Sequence, residues 1–413
     1  MKFDNIIIGG GLSGLTCGIA LAKAGRKVAV VAAGQSTLHF SSGSISLLGY
    51  DNAGKTVTNP LEEIPRLSEN HPYRRVADVA ARAKEAAQLL EEAGLKMQGD
   101  AARNHFRLTP MGITKPAWLT IDGFATTEDE GKLPYTKVTL ANIRGFLDWP
   151  TEFLADNLRK MGVEVEMLTF GTPLLDSVRR SPSEMRATNI AKLLNDDDQL
   201  AEVAQAINTL NATGEVILLP AVLGIASGNA ANKLRQQVRK PIAFVATMPP
   251  SVPGVRIQTQ LIKLFQSLGG TYLRSDIVTK GTLVRDKVAY IETENLQDER
   301  LYADDYVLCT GSFQSRGLRS DFQHVYEPVF GLDVDADESR ANWHADYAFD
   351  AQPYMAFGVR TDATLHPLLG GKPVHNLYAA GAVLSGHNAL KLDDGTGVSM
   401  LTALEVAHNI LSK

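Results

Sequence analysis

Apolar and polar positions alternate along this chain in two different rhythms, and both appear within the first thirty-odd residues. Phe3, then Ile6, Ile7 and Ile8, form an apolar run of strand length, and Lys27 to Ala32 forms a second. Between them Leu15, Gly18, Ile19, Leu21 and Ala22 recur at helical spacing, and Gly25 is a natural helix stop. The pattern predicts a β-α-β unit at the N-terminus. Strands that are apolar at every position are buried on both faces, so a parallel sheet covered by helices is expected.

The same reading continues downstream. It predicts an alanine-rich helix from Tyr73 to Ala93 stopped by Gly94, a strand at Val138–Ile143, a helix at Pro150–Met161 and a strand at Val163–Phe170. Helices at Ser183–Leu194, Gln199–Leu210 and Ala230–Val238 and strands at Glu215–Leu219 and Ile242–Ala246 complete a second α/β alternation. The Asp196-Asp197-Asp198 run between two of these helices reads as a solvated loop, because no histidine or glutamate stands near it to complete a metal site. Pro249 to Gly254 reads as a linker, followed by a helix from Arg256 to Leu268. Strands at Thr271–Arg274, Lys287–Glu294, Tyr306–Cys309 and Asn376–Ala382 lead to a final apolar helix, Val398–Ile410.

The expected fold class is therefore α/β: a Rossmann-like domain with a three-layer, mostly parallel sheet, carrying an inserted second α/β domain. Residues 1–60, 250–320 and 370–413 are expected to form the first domain. Residues 61–249 and 321–369 are expected to form the inserted cap or partner domain. The length, 413 residues, is that of two or three domains.

Composition narrows the function classes. Forty-six acidic against 41 basic residues leave a net charge of −5, which argues against nucleic acid as a partner. Two cysteines, Cys17 and Cys309, rule out a disulfide framework and a self-contained four-cysteine zinc or iron–sulfur site. The longest apolar run, Val216–Ala226, contains Pro220 and Gly224 and is well short of the ~18–20 residues that span a bilayer. The N-terminus has no signal-peptide pattern, and Leu15-Thr16-Cys17 is a poor lipoprotein match because Gly14 stands where an aliphatic residue belongs. The chain reads as cytosolic.

Chemistry enters at Gly9-x-Gly11-x-x-Gly14, between the first strand and the first helix. Gly9 permits the tight turn, Gly11 lets phosphate oxygens reach the backbone, and Gly14 lets the helix pack close. The first-turn N–H groups, from Leu12 and Ser13 onward, then face a phosphate with the positive end of the helix dipole behind them. An adenine dinucleotide also calls for an acidic residue at the end of the second strand, where this chain has Val30-Val31-Ala32-Ala33. A lost charged hydrogen bond costs ~1.5–3 kcal/mol, enough to question that ligand. Gln35 and Ser36 are the nearby substitutes.

Two further segments resemble motifs of the two-dinucleotide-binding-domain flavoproteins. One is Ala303 to Gly311, with Thr310 and Gly311 as its turn, and the other is His375 to Ala382 with Gly381. In such proteins the helix opened by Gly395-Thr396-Gly397 would present its N-terminus to the flavin pyrimidine. Ala382 stands where the usual ribityl-binding Asp would be.

The resemblance sharpens at Phe3-Asp4, at Gly9 to Leu15, at His39-Phe40-Ser41-Ser42-Gly43-Ser44, at His71-Pro72-Tyr73, at Arg186 to Ala191, at Pro249 to Gly254, at Thr310-Gly311-Ser312-Phe313 and at Glu327 to Asp333. Together these segments resemble the B subunits of anaerobic glycerol-3-phosphate dehydrogenases. The resemblance implies FMN, with FAD as the alternative, a catalytic A-type partner with its own flavin, and a membrane-associated iron–sulfur partner of the C type. The set would oxidise sn-glycerol 3-phosphate to dihydroxyacetone phosphate and pass electrons to quinone, with fumarate or nitrate as terminal acceptor. Location would be cytoplasmic, peripheral at the inner membrane through these partners. By the same resemblance Ser41, Ser42, Gly43 and Ser44 would lie against the flavin.

No catalytic acid–base pair is identifiable. His39 and His387 are candidate proton carriers, and Arg256, Arg360 and Lys391 are candidate phosphate partners; each also fits a structural role. Two rival readings stand beside this one. One is a self-sufficient FAD-dependent oxidoreductase, and the other an assembly subunit with weak or no flavin.

Overall fold

The computed structural model describes every residue except Ser227 and Asp298, and only the backbone at Pro182. The chain divides into two compact units, one of Met1–Thr37, Ser46–Leu89 and Leu261–Lys413, the other of Leu38–Ile45 and Leu90–Gln260.

In the first unit, β1 (Lys2–Ile8) leads through a glycine turn into α1 (Leu12–Lys23) and back to β2 (Val28–Ala32). Three later strands, β3 (Thr271–Arg274), β4 (Tyr302–Leu308) and β5 (Leu377–Ala379), complete a five-stranded sheet in the order β3-β2-β1-β4-β5. Every neighbouring pair is parallel, with Ile7 aligned with Val30 on one side and Val307 on the other. All five carboxyl ends therefore lie on one edge, the edge at which open parallel sheets bind ligands. Ile6, Ile7, Val30 and Val307 are fully buried, as strands apolar at every position require. The last helix, α2 (Gly395–Leu411), packs against α1. It is apolar on nearly all sides, and Val398, Leu401, Leu404, Val406 and Ala407 are buried.

The second unit is built on its own parallel sheet. Its strands run in the order Glu164–Phe170, Lys137–Ile143, Val216–Pro220, Ile242–Val245. Leu140, Leu154, Leu158, Leu218 and Val245 form the centre of its core.

Several local expectations are corrected. The helix expected from Tyr73 begins only at Val79. The His71 side chain instead accepts from the Tyr73 N–H and fixes a short 3₁₀ turn at Pro72–Arg75, Val76 is extended, and Asp78 accepts from the Ala81 N–H. Pro249 to Gly254 is not a linker throughout. The Ser251 side chain accepts from the Gly254 N–H, and a helix runs Val252–Ser267 with Pro253 in its first turn, where a missing N–H costs nothing. Asp196 is the N-cap of helix Asp197–Asn208, and the next two aspartates occupy its first turn, at the positive end of the dipole. Residues 61–89 and 321–369, expected with the inserted domain, lie in the first unit. In the later stretch Val334 pairs with Val359, and the Val359 N–H donates to Val383, just beyond β5. Among the described residues no helix is long and apolar enough to cross a membrane.

Candidate functional site

The glycine turn has three different glycines for three different reasons. Gly9 has φ +119°, and a Cβ there would lie 2.1 Å from the Cys309 carbonyl oxygen, so the β1 turn and the end of β4 touch backbone to backbone. A Cβ on Gly14 would lie 1.9 Å from the Gly9 oxygen, which fixes α1 tightly on the turn. Gly11 differs from both. Its backbone, φ −84° and ψ −167°, suits any residue, and the nearest atom to an added Cβ is Ser36 Cβ at 3.8 Å. Space, not strain, marks position 11. The N-cap, Gly11, makes no side-chain cap bond to the α1 N–H groups. Close by, Thr310 Oγ1 is buried without a hydrogen-bond partner among the described residues. An open cradle, an uncapped helix end and an orphaned hydroxyl fit a phosphate-bearing cofactor. Cys309 is core. Burial pushes its thiol up to about 12, against a hydrogen bond from Ser13, so no thiolate is available.

At the other end of the chain, Gly381 donates its N–H to Thr402 Oγ1 at 2.9 Å, and a Cβ on it would meet Ser13 Oγ at 2.5 Å. Thr396 Oγ1 accepts from the Ser46 N–H at 2.8 Å and donates to the Ser46 oxygen at 3.1 Å. The Gly397 N–H also goes to the Ser46 oxygen, and a Cβ there would lie 2.2 Å from the Tyr73 hydroxyl. Thr396 and Gly397 thus lock α2 onto the segment after residue 45, while Gly395 stays half-buried at the helix mouth.

That mouth joins His387, a candidate proton carrier in the sequence, to Asp394 and to His71 of the His71-Pro72-Tyr73 segment, a grouping that sequence reasoning did not assign. Asp394, fully buried, is the N-cap of α2. His71 Nε2 lies 2.8 Å from Asp394 Oδ2, and His387 Nδ1 lies 3.1 Å from Asp394 Oδ1. His71 Nδ1 accepts from the Tyr73 N–H at 3.2 Å. Both imidazoles are buried and meet edge to face, 5.7 Å between centroids. Burial pushes the Asp394 carboxyl up, but His387 and His71 together outweigh it and hold it well below the usual carboxylate range. Burial lowers His71 below its ordinary value against the opposing pull of Asp394. No local signal marks this trio, since His71 and Asp394 stand 323 positions apart.

The remaining candidates divide by unit. Gly9, Gly11, Leu12, Ser13, Gly14, Thr310, Gly311, Gly381 and residues 395–397 all belong to the first unit, at the carboxyl-end edge of its sheet. Ser41, Ser42, Gly43 and Ser44 belong to the second. There Ser41 Oγ accepts from the Gly43 N–H, and Ser44 Oγ lies 2.9 Å from Thr120 Oγ1. Arg256 is buried, donates to the Leu223 carbonyl at 2.7 Å, and is lowered to about 10 by burial. Arg360 is exposed beside Asp335, and Lys391 is exposed. His39 is half-buried, and burial lowers it against a hydrogen bond with Gln258.

Burial of His71 and His105 is expected to make the fold acid-sensitive. Burial is the first cause that lowers both His71 and His105, so the unfolded chain, with imidazole values near ~6.5, takes up protons first. Their contribution is complete above about pH 6.5 and declines as pH falls toward the folded values. Asp394 adds a second component, present above the unfolded carboxylate value of ~3.9 and lost as pH falls further. Thermal unfolding is expected at a lower Tm at about pH 5.5 than at about pH 7.5, and His71→Gln should narrow that gap. A Tm independent of pH over this range would contradict the assignment.

Comparison with known proteins gives the family. The FAD binding domain model matches residues 4–398. Curated relatives, each named as the B subunit of anaerobic glycerol-3-phosphate dehydrogenase, match over the full chain. The protein from Yersinia enterocolitica is 43% identical over 418 residues, covering 100% of this chain and 99% of its own length. The one from Pectobacterium carotovorum is 39% identical at the same coverage, and the one from Glaesserella parasuis is 35% identical with full coverage of both. The matching domain makes the cofactor a flavin.

Proposed function

The chain belongs to the FAD binding domain family and, within it, to the B subunits of anaerobic glycerol-3-phosphate dehydrogenase, and from that premise we propose that it carries FMN at the edge of its first sheet. The dehydrogenase oxidises sn-glycerol 3-phosphate to dihydroxyacetone phosphate, and this chain acts inside a multisubunit assembly. The proposed partners are a catalytic A-type polypeptide and a membrane-associated iron–sulfur polypeptide of the C type, through which the chain would sit peripherally at the inner membrane.

The observation that carries the choice of FMN is the ground beside Gly10. An adenosine would extend along the end of β2, where an acidic side chain normally receives its ribose. Here Ala32 ends the strand, and the Tyr272 hydroxyl lies 3.5 Å from the Gly10 carbonyl, so close that a Cβ on Gly10 would meet it at 2.4 Å. Arg274 lies over the Tyr272 ring at 5.8 Å. This crowding beside Gly10, with no acidic side chain at the end of β2, supports FMN, while the cradle at Gly11 is open.

When bound, the flavin supplies two-electron redox chemistry. The chain's own residues bind and orient it. The α1 N–H groups and Gly11 would hold its terminal phosphate, Thr310 Oγ1 would offer a hydrogen bond beside Gly9, and the positive end of α2 would favour negative charge on its pyrimidine. Heat release followed by chromatography tests the cofactor. FMN is expected at about one per chain, and FAD as the dominant species would overturn this choice.

A further inference from the structure

In the second unit, strand Val216–Pro220 is followed by a loop, 221–228, and then by helix Asn229–Gln237. The loop leaves the carboxyl end of a strand inside a parallel sheet and delivers the chain to a helix N-terminus, an arrangement in which open α/β sheets hold phosphate groups. It turns at Gly224, φ +68°, and Gly228 is the N-cap. Gly228 makes no side-chain bond to the first turn, and no acidic residue stands in that turn to meet the positive end of the dipole. From Val216 to Ser275 the chain carries no Asp or Glu.

A buried cation lies beside this helix end. Arg256 stands one turn after the fully buried Val252 on the same face of helix Val252–Ser267, and it is 5% exposed. Its Nη2 donates to the Leu223 carbonyl at 2.7 Å, which places the guanidinium against the loop, and Gln260 ties down the same loop through the Ala226 carbonyl. Arg256 Nε is buried with no hydrogen-bond partner among the described residues. Nη1 lies 3.7 Å from the Cβ that would stand on Gly228, and that Cβ would meet nothing else within 4 Å beyond its own stretch of chain.

The neighbouring cations are already paired, Lys233 with Asp197 and Arg235 with Asp122. No carboxylate among the described residues pairs with Arg256. Burial lowers it to about 10, which leaves it charged at neutral pH. The Leu223 carbonyl needs only a donor, and a neutral amide would serve it as well. A buried charge without an opposite partner is strongly unfavourable, so the site calls for an anion.

We propose that Gly228, the first turn of helix Asn229–Gln237 and Arg256 form an oxyanion site of the second unit, and that this site takes the phosphate of a small phosphate monoester. The oxyanion follows from the geometry. The ester rests on the reaction given above, whose substrate and product, sn-glycerol 3-phosphate and dihydroxyacetone phosphate, both carry that group. Arg256 donates from the guanidinium nitrogens that the Leu223 carbonyl leaves open, and the helix end adds its positive dipole. No bond is made or broken at this site.

Calorimetric titration of the full chain with inorganic phosphate, sn-glycerol 3-phosphate and glycerol tests the proposal. Saturable binding of both phosphates and none of glycerol is expected. The Gly11 cradle is itself an open phosphate site, so the titrations are repeated on Gly11→Val, where binding should persist. Arg256→Gln keeps a donor for the Leu223 carbonyl and should weaken binding at least tenfold with circular dichroism unchanged. Gly228→Asp works in the opposite sense. Its backbone, φ −73° and ψ −6°, accepts any residue, and the new carboxylate would pair with Arg256 from within the chain. It should lose phosphate binding while raising the Tm of the phosphate-free protein. Failure of either phosphate to bind the unaltered chain, or unchanged affinity in Arg256→Gln or Gly228→Asp, overturns the site. Binding that vanishes in Gly11→Val also overturns it and places the phosphate in the first unit. Binding of inorganic phosphate without glycerol 3-phosphate overturns the ester alone. None of these results bears on the flavin, which is read from the released cofactor.

Discussion

Gly11→Val is expected to remove the flavin from a chain that remains folded. Position 11 has backbone angles open to valine, and its added Cβ has 3.8 Å to the nearest neighbour, so the sheet and α1 behind it need not move. The branched side chain would instead fill the space in front of the α1 N–H groups, where the cofactor phosphate is proposed to lie. Losing two charge-assisted hydrogen bonds at ~1.5–3 kcal/mol each weakens binding by about 3–6 kcal/mol, at least ~100-fold. The expected signature is loss of the flavin absorbance with far-ultraviolet circular dichroism unchanged. The neighbouring glycines provide the contrast. Gly14→Ala puts a methyl 1.9 Å from the Gly9 oxygen and should lower stability along with flavin content. Stoichiometric flavin in Gly11→Val would place the cofactor elsewhere.

How far the sequence reaches depends on the separation of the interacting residues. The β-α-β unit was legible because Ile6–Ile8, the glycine turn and Lys27–Ala32 are contiguous, and unbroken apolar strands announce a parallel sheet buried on both faces. The missing ribose acid at Ala32 was equally local. What lay beyond reach was the approach of the Tyr272 hydroxyl to Gly10, which a parallel strand from far along the chain brings about beside β2. The same holds for the His71–Asp394–His387 cluster: His387 was a candidate and His71 lay in a resemblance segment, but nothing local joined them to Asp394. The helix expected from Tyr73 failed for a local reason. Alanine-rich propensity carried the reading through residues whose side-chain hydrogen bonds, at His71 and Asp78, stop one turn and start another.

The second large effect concerns the need for partners. Both cysteines are buried, and burial raises both thiols far above the range in which a thiolate forms, so this chain supplies no ligands for a four-cysteine iron–sulfur centre. Under the proposed division of labour, electrons leaving a flavin held here reach quinone through cofactors on the partner polypeptides. The isolated chain is expected to give negligible quinone reduction with glycerol 3-phosphate, even when loaded with flavin. Addition of the catalytic and iron–sulfur partners should bring the activity up by several orders of magnitude.

The central claim, a flavin-carrying chain that works only within an assembly, is tested most directly by one coupled assay. Dihydroxyacetone phosphate formation and quinone loss are followed together for the flavin-loaded chain alone, for the partners alone and for the reconstituted set. The account predicts activity at full level in the complete set only, with the Gly11→Val chain failing to restore it. Full turnover by the single chain would contradict the account and identify a self-sufficient oxidoreductase.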